Sequence, residues 1–359
     1  MSAHLVVDVT GHGYGHLAQV APVVAELRAR RRGLRLTART GVPAPVVRMA
    51  LGEGVGSAPP PPDFGMAMTG PVDVDAGASA EAYAALHADW PALVAREAER
   101  LAALRPDLLL SDVGYVGLAA AAAAGVPAVA MSSLNWAAMY QAYCGHRPEA
   151  AGIHGQMLAA YRSARLFIQL TPHPPMDDLP NRRPVGPVVA PGRDRRAELA
   201  ERLGAPPGER LALLTLGGMA MTGEVRDLPR LPGLRWLAAA SLQLARDDVV
   251  PADGLGLGFG DLIRACDVVV TKPGYGTMVE AVCGGTRLVY CERPDWPETP
   301  YLDGWARRHG AALMISREEL ATGRWGAALA DLLARPDPEP HPATGAAEAA
   351  GLVLEMLAG

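Results

Sequence analysis

Apolar residues along this chain gather into short, nearly continuous runs separated by stretches of helical period. The runs at 5–9, 34–39, 107–111, 127–131 and 166–170 are rich in Leu, Val, Ile and Ala with little polar alternation. That pattern predicts parallel strands covered on both faces. Between them, 16–30, 45–51, 80–104, 117–124 and parts of 136–164 read as helices, with Pro106 and Gly125 as stops. Strand and helix alternate throughout, so residues 1–180 are expected to form a doubly wound, Rossmann-like domain. A proline-rich linker is expected over 181–192. Strand runs at 211–216, 234–239, 268–271 and 287–291, with helices at 259–265 and 277–283, then predict a second Rossmann-like domain over 193–336. The break at 337–342 precedes a final amphipathic helix in 343–359. The fold class is therefore α/β, and residues 52–75, rich in Gly and Pro, form a long surface loop.

Composition supports two cores rather than one. The chain has 359 residues, 50% hydrophobic and 20% charged, enough apolar surface to offset the entropy of ordering it. Net charge is −5 and no basic run is longer than 30–32, so no nucleic-acid partner is expected. The four cysteines show no C-x-x-C spacing and read as buried thiols. Residues 113–146 lack any charge, but Gly117, Gly125 and Pro127 divide them into helix, turn and strand. No transmembrane segment is expected. Met1 leads directly into the first strand run without a basic or long apolar leader, which suggests a cytoplasmic protein.

Candidate chemistry gathers where strand runs end. Gly11-His12-Gly13-Tyr14-Gly15-His16 joins the first strand to the first helix. Its spacing misses the dinucleotide pattern G-x-G-x-x-G, because His16 stands at the third glycine position. The C-terminal edge of the first strand is where open α/β sheets bind ligands, making His16 a candidate general base, beside the alternative of a helix-start residue. Asp112 follows another apolar run and is placed either to orient that histidine or to cap the next helix. Asn135 and Trp136 follow the next run and line the same rim, with Gly13 and Tyr14.

A second cluster is Thr271-Lys272-Pro273-Gly274-Tyr275-Gly276-Thr277-Met278-Val279-Glu280. Its glycines expose helix N-terminal amides, Thr277 offers a hydroxyl, and Lys272, the only lysine of the chain, supplies a point charge, a set suited to phosphate. Glu280, one turn later, suits two ribose hydroxyls, or else simply favours the helix dipole. Gly217 and Gly218 follow a strand and offer amides to a diphosphate or make a plain turn. Glu298 and Thr299 follow another strand and suit sugar hydroxyls. No metal-ligand spacing, Walker loop or G-x-S-x-G elbow occurs.

The turn at 11–16 and the run 271–285 resemble the family 28 glycosyltransferases, whose best-known member adds N-acetylglucosamine to lipid-linked muramoylpentapeptide. Through GHGYGH, Ser111-Asp112-Val113, Asn135-Trp136 and K-P-G-Y-G-T-x-x-E, the chain is also similar to the nucleotide-sugar-transferase-like N-terminal half of plant arabinokinases. No sugar-kinase segment accompanies it, so kinase activity is not implied. The resemblance implies a GT-B fold, two Rossmann-like domains facing across a cleft, with the final helix crossing back to the first. It implies an acceptor-binding first half with His16 as base. The second half would bind a UDP- or dTDP-sugar through Gly217, Gly218 and Glu280, with Glu298 and Thr299 near the donor sugar. Inverting transfer without metal or cofactor is the expected reaction. The family turn carries a glycine where Tyr14 stands, and a glutamine pair where Glu298-Thr299 stands. Hydrolysis or epimerisation of the nucleotide sugar and non-catalytic nucleotide-sugar binding are the alternatives. The apolar residues of 64–68 suit a lipid-linked or natural-product acceptor, the former placing the protein at the inner membrane face, or else pack against the protein itself.

Overall fold

The computed structural model describes residues 3–11, 14–70, 72–216 and 225–358. The chain divides into two compact units. The first comprises Met1–Thr69, Asp73–Val188 and Thr344–Gly359, the second Gly70–Val72 and Val189–Ala343.

In chain order the first unit contains β1 (His4–Val9), α1 (Gly15–Arg30), β2 (Arg35–Thr40), α2 (Ala44–Leu51), β3 (Gly56–Ala58), α3 (Ala76–His87), α4 (Trp90–Leu104), β4 (Leu108–Asp112), α5 (Val116–Ala124), β5 (Ala128–Ser132), α6 (Trp136–Cys144), α7 (Ala150–Ser163), β6 (Leu166–Leu170) and β7 (Arg182–Val185). Its strands form one parallel sheet in the order β3-β2-β1-β4-β5-β6-β7. The central strands β1, β4 and β5 are buried along their whole length, which is why their sequences run apolar without alternation.

The second unit contains α8 (Arg196–Leu203), β8 (Arg210–Leu214), β9 (Leu234–Ala238), β10 (Val249–Pro251), α9 (Phe259–Ala265), β11 (Val268–Thr271), α10 (Tyr275–Gly284), β12 (Arg287–Cys291), α11 (Thr299–His309), β13 (Ala312–Ile315), α12 (Arg317–Thr322) and α13 (Gly326–Ala334). Its parallel sheet runs β10-β9-β8-β11-β12-β13. The last helix, α14 (Gly345–Ala358), belongs to the first unit and packs on α1. Arg30 Nη1 donates to the Ala347 carbonyl at 2.9 Å, and the Gly345 amide to that of Pro187 at 3.0 Å. Gly345 lies so close to the Gly186 carbonyl that a Cβ there would collide with it.

Several expectations change. Residues 181–192 are not all linker, because Arg182–Val185 forms β7. Pro184 is tolerated there because β7 is an edge strand, where a missing N–H costs no ladder bond on its open side. Residues 80–104 form two helices, not one: the Asp89 carboxylate caps α4 by accepting from the Ala92 amide at 3.3 Å, and Pro91 sits in its first turn. The loop 52–75 contains the short edge strand β3. All four cysteines are buried. Among the described residues, no helix is long and apolar enough to cross a membrane.

Candidate functional site

Both sheets reverse their strand order once, between β1 and β4 in the first unit and between β8 and β11 in the second. Crevices at such switch points, outside the C-terminal strand ends, are where open α/β sheets hold ligands. The two principal clusters predicted from the sequence lie at these points.

In the first unit, Val9 pairs with Asp112 in register, so α1 leaves β1 beside the end of β4. His16, in the first turn of α1, brings Nδ1 to 2.9 Å from Asp112 Oδ1. Both residues are buried, His16 7% exposed and Asp112 0%, which excludes a solvated loop role for the aspartate. Burial raises the Asp112 carboxyl above its ordinary range, while its hydrogen bond to His16 pulls the other way. Asp112 Oδ2 has no partner among the described residues, so the histidine is this carboxylate's one side-chain contact there. With Nδ1–H donated to Asp112, neutral His16 carries its lone pair on Nε2, which has no hydrogen-bond partner among the described residues.

Trp136 meets the His16 ring edge-on at 5.7 Å between centroids. Asn135 caps α6, its Oδ1 accepting from the Ala138 amide at 2.8 Å, and so sets where that tryptophan begins the helix. Tyr161 lies behind: its hydroxyl donates to the Val113 carbonyl at 2.6 Å and accepts from the Trp136 amide at 3.1 Å, tying the ends of β4 and α6 together. Tyr14 is the N-cap residue of α1 and is 52% exposed. Gly13 lies outside the described residues.

A neighbouring group was not foreseen. Asp8, inside the apolar run of β1, is gripped by Arg39 of β2 through Nε at 2.6 Å and Nη2 at 2.5 Å. A charged residue in each of two neighbouring strand runs was the available signal, masked in β1 by the apolar residues around Asp8. Asp63, from the proline-rich loop, accepts from the Val116 amide at 3.3 Å through Oδ1. Burial pushes its carboxyl up to about 7, against the pull of the Val116 amide and Arg39.

In the second unit, Gly274 caps α10, leaving Tyr275, Gly276 and Thr277 as its first turn, with open space beside Gly274 and Gly276. Lys272 stands between the end of β11 and this helix start. Glu280 is partly buried against Gly260 of α9, where a Cβ would strike its carboxylate. Burial, helped by Asp261, pushes the Glu280 carboxyl up to about 7. Glu280 is therefore not the exposed helix residue of the alternative reading. Gly217 and Gly218 lie outside the described residues.

Glu298 is the N-cap residue of α11 and Thr299 its first residue, and both are buried, at 3% and 6% exposure. Glu298 Oε2 accepts from the Trp296 indole at 3.2 Å, and Trp296 carries the Arg293 guanidinium over its ring at 4.0 Å. Thr299 Oγ1 is buried without a partner among the described residues. Among the described residues, no group of three or more His, Cys, Asp or Glu is placed to hold a metal ion.

The fold defined by these two units is GT-B, shared with solved glycosyltransferases over nearly the whole chain. The calicheamicin glycosyltransferase CalG4 is 17% identical with a TM-score of 0.66, covering 100% of this chain and 99% of that one. The glycosyltransferase VinC, solved with dTDP, is 18% identical with a TM-score of 0.61 over 99% of this chain and 98% of that one. A UDP-glucosyltransferase from Polygonum tinctorium, capable of glucosylating indoxyl, is 14% identical with a TM-score of 0.60 over 100% and 99%. In sequence, the chain is 27% identical over 343 residues to an L-arabinokinase of Arabidopsis thaliana, matching 90% of this chain and 32% of that protein. It thus spans about a third of that relative's length. No family model matches the chain.

Proposed function

We propose that this chain is an inverting, metal-independent glycosyltransferase that moves a sugar from a nucleoside diphosphate to an acceptor hydroxyl. The observation that carries the reading is the buried His16–Asp112 pair at the β1/β4 switch point, with one imidazole nitrogen left for chemistry. In the reaction, the acceptor O–H gives its proton to His16 Nε2 as its oxygen bonds to the anomeric carbon. The bond from that carbon to the phosphate oxygen breaks, and the nucleoside diphosphate leaves with the electron pair. Asp112 holds the tautomer and stabilises the imidazolium that forms.

Negative charge grows on the departing phosphate, so donors fixed beforehand lower the barrier where it appears. That role falls to the first-turn amides of α10 and to Thr277 and Lys272, with Gly274 and Gly276 allowing close approach. Gly217 and Gly218 would add amides, and Glu280 would accept from the ribose hydroxyls. Glu298 and Thr299 shape the donor-sugar side. Gly13, Tyr14, Asn135 and Trp136 belong to the acceptor side. The turn at 11–16 and the run 271–285 support a family 28 type of site, and UDP is the favoured nucleotide. A UDP-glucosyltransferase and a dTDP complex among the solved proteins of this fold make both nucleotides the first to try.

The test incubates the protein with UDP- and dTDP-sugars, with and without a panel of hydroxylated natural-product and lipid-linked acceptors, in EDTA. Nucleoside diphosphate release that depends on an acceptor is expected. Equal release without acceptor would mean hydrolysis instead, and donor binding with no turnover would mean a sensor.

A further inference from the structure

Two groups that meet the His16 ring come from different elements: Asp112 closes β4 and Trp136 opens α6. Their mutual placement therefore depends on what joins those elements. Tyr161, near the end of α7, does so with a single atom. Its hydroxyl donates to the carbonyl of Val113, the residue after Asp112, at 2.6 Å, and accepts from the amide of Trp136 itself at 3.1 Å. Tyr161 is 0% exposed, and Val113 and Trp136 are 1%. With water excluded, hydrogen bonds of this kind are stronger than at a surface, and losing one takes a partner from a buried backbone group.

The surroundings hold this hydroxyl where it is. The Tyr161 ring packs against Tyr115, 6.2 Å away between centroids, and edge-on against Phe167 at 5.6 Å, which limits how far its hydroxyl can move. Burial pushes the phenol well above its ordinary value, so the proton given to Val113 stays in place near neutral pH. Tyr115, in the same aromatic cluster, serves elsewhere, its hydroxyl meeting His87 Nε2 at 2.8 Å. The turn after Asp112 has other anchors. The Thr10 amide donates to the Asp112 carbonyl at 3.0 Å, the Ser111 hydroxyl to the Gly114 carbonyl at 2.6 Å, and the Val116 amide to Asp63 Oδ1 at 3.3 Å. Each of these bonds fixes the turn alone, whereas Tyr161 fixes the turn and Trp136 together.

We propose that Tyr161 is a positioning residue for proton transfer, its hydroxyl keeping Asp112 and Trp136 in fixed relation around the His16 imidazole. The part played in proton transfer rests on the transferase reading, whereas the positioning does not, so the first measurement uses no substrate. NMR of protein carrying isotope-labelled histidine reads the His16 Nδ1–H resonance, assigned by its loss in His16→Ala, in the wild type, Tyr161→Phe and Ser163→Ala. Tyr161→Phe keeps the ring and its packing and removes only the oxygen. Its Nδ1–H should exchange with water about tenfold faster than in the wild type, the worth of one buried hydrogen bond. Ser163→Ala removes a hydroxyl of the same helix that donates to the Ala160 carbonyl at 2.7 Å, and should leave the resonance as it is. In acceptor-dependent turnover, Tyr161→Phe should lower kcat about tenfold with the donor KM within about twofold of wild type, while Ser163→Ala changes neither. An unaltered His16 resonance in Tyr161→Phe, or an equal change in Ser163→Ala, would overturn the proposal. So would an altered resonance with kcat unchanged. Absence of turnover in the wild type would count against the transferase reading, and the imidazole resonance would then decide the positioning by itself.

Discussion

A histidine held by a buried carboxylate has one nitrogen committed to structure and one available for proton transfer. His16 meets that description because α1 starts beside the end of β4, where Asp112 has no solvent to turn to. Glu280 illustrates the opposite economy: a carboxylate with no hydrogen bond or ion pair among the described residues, kept near neutrality by burial. Its raised value means that, between the ordinary carboxylate range and about pH 7, the folded protein holds a proton the unfolded chain has released. Stability from this group therefore falls as pH rises through that window. A ligand whose hydroxyls donate to the carboxylate should reverse the preference. The affinity of a UDP-hexose, whose phosphates do not titrate there, should rise about tenfold from pH 6 to pH 8, and Glu280→Gln should abolish the trend. Calorimetric titration at several pH values checks this. His16 and Asp112 were legible because they stand where a strand ends and a helix begins, and Glu280 because it lies in the helix that opens on the glycine turn after β11. Asp63 was not, since nothing in a proline-rich loop indicates which side chain will fold inward.

At the scale of elements, the sheets were readable wherever both faces are covered, since burial demands continuous apolar runs, as in β1, β4 and β12. Edge elements such as β3, β7 and β10 are short and carry Gly or Pro, so they read as loop. The division of 80–104 into α3 and α4 depended on a single capping aspartate. The terminal helix α14 is fastened to the first unit by a glycine at a backbone crossing. Gly345→Ala would push a methyl into the Gly186 carbonyl, so it should destabilise the first unit by about 1–3 kcal/mol, read as a lowered thermal midpoint. Gly351→Ala lies inside the same helix with only the tip of Arg30 nearby and should raise the midpoint, by about 0.5–1 kcal/mol of added stability.

At the scale of the whole molecule, two α/β units of the same architecture each carry a candidate site at the point where strand order reverses. In the proposed reaction the second unit would hold the nucleoside diphosphate and the first would relieve the acceptor of its proton. Binding should therefore survive changes that stop turnover. At a hundred times its Kd, UDP should stabilise the protein by about 2.7 kcal/mol, and equally so when His16 is replaced. The most direct measurement compares acceptor-dependent nucleoside diphosphate release in the wild type and in His16→Ala, alongside donor affinity. The account predicts a rate at least about a hundredfold lower with the donor Kd unchanged. Release at the wild-type rate in His16→Ala, or loss of donor binding together with activity, would contradict it.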